Sequence, residues 1–458
     1  MKKHIFEQTI ILLTVIKWLI ISSVIGIVIG VIVTFFMNVL DNAEDTRSLL
    51  GFKYYYLLPF ALMFTIWITK TFAPNAKGHG TEKVIEAIHK RNGKIDVLVI
   101  PVKLIATVIT IFAGGSVGKE GPSAQIGAGA ASFIAGLLRF SKENRKKIVI
   151  CGISAGFASV FGTPISGAIF GVEVLIVGII VYDVLLASFI AGFAAFTTAK
   201  FLGLQYSYYD MSFSQSIPLE LTLIGQVILA GIFFGIVSDF FITFMKKSEL
   251  TIKSIKLNVY LKAFFAGLFL IVLSIYFGES YFGLGHETIG NSFFSDQSVV
   301  EEIPWYAFIL KTIFTAVTLG SGGSGGVLTP IFFVGATSGN LFGSLMGDNI
   351  AFFAAIGFVS VLAGTANAPI AAIIMSVELF GLEVAPYAAI SVVISFLITG
   401  HRSIFPSQIL KMNKSDMLDI STGENIDHTL VSMREKDKQR FEHLKQKLKA
   451  KKKREKSK

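Results

Sequence analysis

Four stretches of this chain, residues 8–37, 54–69, 221–244 and 259–277, are almost wholly apolar. A helix needs about 20 such residues to cross the hydrocarbon core of a bilayer, and more if it tilts. Only 16% of the residues are charged, against about 25% in an ordinary soluble domain. The runs are apolar on every face, whereas a transmembrane barrel would alternate in short strands. The sequence therefore predicts an all-α polytopic membrane protein. The first run, after "MKKHIFEQT", is longer than a signal-peptide core and has no clear small-residue cleavage site, so it is expected to be retained as the first helix. The single cysteine, Cys151, excludes an intrachain disulfide.

The chain repeats itself. Residues 98–122, "LVIPVKLIATVITIFAGGSVGKEGP", superpose in sequence on 306–330, "YAFILKTIFTAVTLGSGGSGGVLTP". Lys103 falls on Lys311, Thr107 on Thr315, Thr110 on Thr318, Gly118 on Gly326 and Pro122 on Pro330. A second echo follows: "FGTPISGAIFGVEVL" (161–175) resembles "ANAPIAAIIMSVELF" (366–380), with the same interval from Pro164 to Glu173 as from Pro369 to Glu378. Internal repeats in a membrane chain suggest a pseudo-two-fold transporter, in which broken helices meet near the midplane. The halves are expected at approximately 10–200 and 215–400.

The breaks are the glycine loops 114–122 and 320–330, each followed by an apolar run. Proline is tolerated in the first turn of a helix. Each loop should therefore present free backbone N–H groups at a helix N-terminus, which is an anion site in waiting. Gly118-Lys119 invites a nucleotide reading, but Glu120 follows where Ser or Thr is needed, and Ala113 stands in place of the first glycine. Glu120 is the most informative residue. A carboxylate at membrane depth is costly and functional by default. Among N–H groups that bind an anion it can compete with that anion, and on protonation it can let go. It would then serve as a gate and a proton carrier. The plainer alternative is a capping carboxylate paired with Lys119. The histidines show no HExxH or i,i+4 pairing, so an intramembrane metalloenzyme has no support. No cofactor, metal or nucleic-acid partner is expected.

At these residues the chain resembles the CLC family of chloride channels and chloride/proton antiporters, over roughly residues 10–410. "GKEGP" (118–122) is similar to the family's G-[K/R]-E-G-P loop, and "GGVLTP" (325–330) to its second glycine loop. "GHGTEK" (78–83) stands in place of its first loop, and "SIFPSQ" (403–408) in place of the final segment that carries a pore tyrosine. The resemblance implies an inverted-repeat fold and a homodimer with one anion pathway per chain. It makes Glu120 the gating glutamate. The amides of Val327 and Leu328 become anion donors, with Gly121 near an outer position. His79 falls where many members have an anion-coordinating serine, and Phe405 where many have the tyrosine. Lys119, Gly118, Pro122, Gly326 and Pro330 shape the loops.

Three departures matter. Phe405 has no hydroxyl to donate. His79 can offer its ring, or it can turn away and leave the Gly80 or Thr81 amide. Glu173 is followed by Val174, whereas antiporters of the family often carry a second glutamate there, so Glu173 and its repeat mate Glu378 read as structural or dimer-side carboxylates. Two functions stay open: exchange of chloride or a similar monovalent anion against protons, and a passive voltage- or pH-gated chloride channel. Fluoride exporters of the family tend to carry threonine after "REG" and an acidic residue near the second loop. Pro122 and Val327 stand at those places here, which argues against fluoride. The segment 411–458 is expected to be a basic cytoplasmic tail too small for a large regulatory domain. Its last part, 434–458, holds 13 Lys/Arg against 4 Asp/Glu, a solvated run that can also draw anionic lipid. Positive-inside logic places both termini in the cytoplasm, with the protein in a plasma or inner membrane.

Overall fold

The computed structural model describes residues 2–206, 220–294, 302–347 and 349–429, together with 431–434, 436 and 438. Most of the basic run 434–458 lies outside the described residues. Among the described residues the first half contains eight α-helices: α1 (Lys2–Thr46), α2 (Leu58–Phe72), α3 (Thr81–Lys90), α4 (Val99–Phe112), α5 (Glu120–Leu137), α6 (Lys142–Phe161), α7 (Pro164–Glu173) and α8 (Tyr182–Phe201). The second half contains, among the described residues, eight more: α9 (Leu221–Ser254), α10 (Val259–Phe277), α11 (His286–Asn291), α12 (Ala307–Gly320), α13 (Leu328–Met346), α14 (Ile350–Ala366), α15 (Pro369–Phe380) and α16 (Ala385–Ile398). Each helix of one half has a mate in the other. The packing repeats as well: α1 lies on α6 and α8 as α9 lies on α14 and α16, and α5 packs on α6 as α13 packs on α14.

Among the described residues, α1, α8, α9 and α10 are long and apolar enough to cross a membrane alone. The others divide the crossing. Both α4 and α12 have 14 residues, which is about 21 Å of helix at 1.5 Å per residue, short of a core about 30 Å thick. They end inside the protein, where irregular backbone is tolerated because protein, not lipid, surrounds it. The helices behind the breaks pack backbone to backbone. A side chain on Gly127 or Gly152 would run into the main chain of the other, and Gly335 and Gly357 repeat that contact in the second half.

The two glycine loops cross and are tied to each other. Gly118 N–H donates to Gly326 O at 2.7 Å and Gly326 N–H to Gly118 O at 2.6 Å. The hydroxyls around them pair across the same axis. Ser116 Oγ lies 3.0 Å from Thr315 Oγ1, and Ser324 Oγ lies 3.3 Å from Thr107 Oγ1. The amides of Ser116 and Ser324 donate to Thr318 and Thr110. Every one of these pairs joins a residue to its mate's partner, so the threonines aligned by the repeat are the buckles of the crossing.

The second echo has the same logic. Glu173, at the end of α7, accepts from Ile370 N (3.0 Å) and Ala371 N (2.8 Å) in the first turn of α15. Glu378, near the end of α15, accepts from Ile165 N (2.9 Å) and Ser166 N (2.8 Å) in the first turn of α7. Each carboxylate satisfies the free N-terminal amides of the other half's helix, as expected of structural carboxylates.

The segment after α16 is more than a tail. β1 (Ile176–Val177) pairs in parallel with β2 (Ile409–Leu410), and β3 (Leu418–Ile420) pairs antiparallel with β4 (Val431–Met433). Lys414 reaches back to Asn367 Oδ1 and Phe396 O, both at 2.7 Å. A span-by-span reading starts the tail at 411, but these polar ties anchor residues up to 434.

Replacing Glu173 by Ala strands two buried amides. With charged hydrogen bonds worth about 1.5–3 kcal/mol each, Glu173→Ala and Glu378→Ala are each expected to lower the unfolding temperature of the detergent-solubilised protein by several degrees. Thermal unfolding followed by intrinsic fluorescence checks this, and Glu→Gln should recover part of the loss.

Candidate functional site

The crossing brings the first turns of α5 and α13 together, one from each half. Three donors are available at the start of α13: the amides of Val327, Leu328 and Thr329. Pro330 has no N–H, and Ile331 N already bonds Val327 O. The amides of Val327 and Leu328 have no hydrogen-bond partner among the described residues. The third is taken. Glu120 reaches across to α13 from the start of α5. Its Oε2 accepts from Thr329 N at 3.1 Å, and Thr329 Oγ1 stands 2.6 Å from both carboxylate oxygens. Glu120 is 1% exposed, so a carboxylate fills an anion-shaped place inside the protein. Thr329, rather than Lys119, holds it. Lys119 is half-buried, within electrostatic reach of Asp41 and Glu44 at the end of α1.

Gly118 makes this geometry possible. A β-carbon there would lie 2.5 Å from Glu120 Oε2 and 2.6 Å from Thr329 Oγ1. Gly121 packs on Gly326 on one side and on Gly80 on the other. Gly118, Pro122, Gly326 and Pro330 are all buried within this junction. The first loop, 78–81, therefore reaches the junction. His79 leads into α3, and its ring centroid is 6.1 Å from that of Phe405. His79 Nδ1 and Thr81 Oγ1 are buried with no hydrogen-bond partner, although buried polar atoms are usually paired. The loop that carries His79 and Thr81 thus packs on Gly121 at the junction, and His79 lies beside the Phe405 ring, while Lys119 points to the end of α1.

Four contributors stand outside the motif residues to which the resemblance assigns roles, although the Thr81 amide and the Lys103–Lys311 pair are visible in the sequence. Thr329 is the first. Thr81 is the second. Lys103 is the third: its ammonium donates to Ala76 O (3.2 Å) and Gly78 O (2.5 Å), pinning the loop that carries His79. Its mate Lys311 does the same to Tyr281 O (3.2 Å) and Gly283 O (2.9 Å). Glu82 is the fourth: its carboxylate accepts from the amide and the hydroxyl of Ser407, fixing the segment of Phe405 against α3. A third echo carried the signal. "GHGTE" (78–82) matches "GLGHE" (283–287) at the spacing that separates Glu173 from Glu378.

A family model described as voltage gated chloride channel matches residues 61–400. The chain belongs to that family. Transport of anions across a membrane is therefore its activity. A chloride/fluoride channel protein of Pseudomonas syringae pv. tomato is 35% identical over 409 residues, covering 88% of each chain. A voltage-gated ClC-type chloride channel ClcB of Escherichia coli is 26% identical, covering 70% of this chain and 77% of its own. Among solved structures, a CLC-type fluoride/proton antiporter superposes with a TM-score of 0.81 at 28% identity, covering 86% of this chain and 98% of its own. A slow cyanobacterial Cl−/H+ antiporter superposes at 0.71 with 20% identity, covering 84% and 94%, and speaks to the fold. In this family member the helix breaks, the crossing loops and the buried carboxylate lie together where the two halves meet.

Gly118→Ala is expected to push the Glu120 carboxylate off Thr329. Thr329→Val removes the hydroxyl with less disturbance. Both should raise anion flux at neutral pH, the first by about tenfold or more, since a charged hydrogen bond is worth roughly 1.5–3 kcal/mol. Anion efflux from liposomes measures it, and unchanged flux in both variants would show that this carboxylate does not obstruct the route.

Proposed function

We propose that the protein exchanges a halide for protons, with Glu120 as both gate and proton carrier. The observation that carries this reading is the Glu120 carboxylate on Thr329 at the N-terminus of α13, beside the unpartnered amides of Val327 and Leu328. A carboxylate held by donors of this kind is a stand-in for the transported anion. When a halide takes the Val327, Leu328 and Thr329 donors, Glu120 must leave, and it leaves most readily with a proton. One negative charge then replaces another at the same donors, which couples anion and proton movement without any further carboxylate at Val174.

The inner donors in this reading are His79 Nδ1 and Thr81 Oγ1, the two unpaired buried atoms. Phe405 walls the route with its ring. Lys103 and Glu82 hold these parts in register. Chloride is the first halide to consider. Fluoride returns as a second reading, although Pro122 and Val327 argued against it. The observation that favours it is the match to a fluoride/proton antiporter, at a TM-score of 0.81 and 28% identity. A passive channel remains the outcome if protons do not move. The chain is placed with both termini on the cytoplasmic side, where the basic segments 90–94 and 246–256 also belong by the positive-inside rule. A homodimer is proposed, with the repeat mates Ile165 and Ile370, exposed on one apolar face, at the contact.

Purified protein in liposomes, with a halide gradient and a potassium–valinomycin clamp, tests the whole reading. Uphill proton movement is expected in the wild type and should vanish in Glu120→Gln while halide flux persists. Proton movement that survives in Glu120→Gln would overturn the carrier role. Running chloride and fluoride in parallel decides the halide. Phe405→Tyr should strengthen halide binding severalfold, by about 1 kcal/mol for one added hydrogen bond, as read by calorimetry.

A further inference from the structure

Away from the crossing of the glycine loops, a cavity opens between the C-terminal half of α9 and the first turns of α10. It is about 490 Å³ and is walled by Phe244, Ile252, Phe265, Phe269 and Val317, with Lys247 and Lys262 at its polar margin. A second cavity of about 130 Å³ adjoins it and shares Ile252 and Lys262. Lys70, from the last turn of α2, and Lys77, from the loop before His79, line this second cavity with Lys262, opposite Gly320, Ser321 and Gly322. The pair of cavities forms one groove with an oily slot at one end and a cluster of ammonium groups at the other.

The ammonium groups are not neutralised by the protein. Lys262 donates to the carbonyls of Ile252 (2.9 Å) and Lys253 (3.1 Å), closing the end of α9. Lys70, Lys77 and Lys247 make no ion pair among the described residues and are exposed. This face of the molecule lies at the basic end of the membrane helices, where Lys253 and Lys256 flank the α9–α10 turn. Apolar surface at a membrane boundary is filled by acyl chain, and uncompensated lysines there draw lipid phosphate. Shape and charge thus call for one molecule that is apolar over most of its length and anionic at one end.

We propose that this groove is a binding site for an anionic phospholipid. Its phosphate sits among Lys70, Lys77 and Lys262, and an acyl chain lies in the slot between α9 and α10. The groove touches both loops that lead to the anion site. Lys77 precedes Gly78 and His79, and Gly320 to Gly322 open the loop that ends at Val327. A bound headgroup steadies both loops from the same side, so occupancy favours transport. The binding claim stands on the groove alone. The effect on transport rests on the proposed role of His79 and the α13 donors.

The test compares the full chain with Lys70→Gln/Lys77→Gln/Lys247→Gln, leaving Lys262 to its structural bonds. A triple substitution in the basic run, Lys451→Gln/Lys452→Gln/Lys453→Gln, removes the same charge elsewhere. Binding is read by native mass spectrometry of each protein titrated with phosphatidylglycerol, with phosphatidylcholine as the neutral reference. Losing Lys70 and Lys77 from beside the phosphate, at about 1 kcal/mol each, predicts a loss of affinity of about thirtyfold for the groove variant, and little change for the other. Equal retention of phosphatidylglycerol by all three proteins, or a loss confined to the 451–453 variant, would overturn the site. Halide flux is then measured in vesicles of phosphatidylcholine with and without phosphatidylglycerol. The wild type should be faster with phosphatidylglycerol and the groove variant indifferent to it, while equal flux in phosphatidylcholine shows that the variant is folded. Inorganic phosphate added to phosphatidylcholine vesicles should do nothing, and stimulation by it would replace the lipid with a soluble anion. Selective lipid loss without any change in flux would leave the site standing and remove its effect on the loops. Loss of proton coupling in the wild type would instead refute the exchange reading and leave the lipid site untouched.

Discussion

The exchange of two backbone hydrogen bonds between Gly118 and Gly326 is the knot from which the rest of the molecule is hung. It sets two helix N-termini side by side inside a bilayer-spanning protein. An N-terminus carries unspent amides and the positive end of a helix dipole. Two of them in one place make a deep site for negative charge without any lysine or arginine in contact with it. Backbone can come this close only where side chains are missing, and that is the use of glycine here. The hydroxyls of Ser116, Thr107 and their mates then absorb the polar groups that the broken helices leave behind.

In the proposed exchange, a carboxylate held by Thr329 takes the place of the anion. It is costly to bury and it is surrounded by good donors, so it is held firmly only while it is charged and unopposed. An arriving anion contests the same donors, and an arriving proton removes the reason for staying. The geometry therefore links two kinds of event at one side chain. Glu173 and Glu378 show the contrasting case. Each is a carboxylate on helix amides, but both cap the first turn of a helix from the other half.

Much of this could be read from sequence. The apolar runs gave the membrane class, and the repeat at 98–122 and 306–330 gave the two-fold plan and the glycine breaks. Glu120, Val327, Leu328, His79 and Phe405 are legible because motif and spacing mark them; Glu120 reaches the start of α13, and His79 lies beside Phe405. Thr329 was not legible. It is one hydroxyl among many in an apolar chain, and its partner comes from the other half, so no local pattern announces it. Lys103 was visible as a repeat mate, but its work on the carbonyls of 76 and 78 depends on a loop that sequence does not place. The segment 411–434 was read as tail because its anchors, Lys414 above all, act through single polar contacts rather than through a periodic apolar face. Pro122 and Val327 argue against fluoride, while the likeness over most of the chain keeps it in view.

The reciprocal caps of α7 and α15 bear on how such a chain can be made. Glu173 leaves the ribosome 205 residues before its mate Glu378, and at 5–20 residues per second that is a wait of roughly 10–40 s. Throughout that time one carboxylate and one set of helix amides in the first half have no partner and cannot rest in hydrocarbon. The first half must therefore be kept in a hydrated setting, at the insertion machinery or at the membrane surface, until its counterpart arrives. Burial of α7 and α15 becomes one late and joint event, and a ribosome that stalls after residue 201 should leave a product that the membrane will not accept as finished.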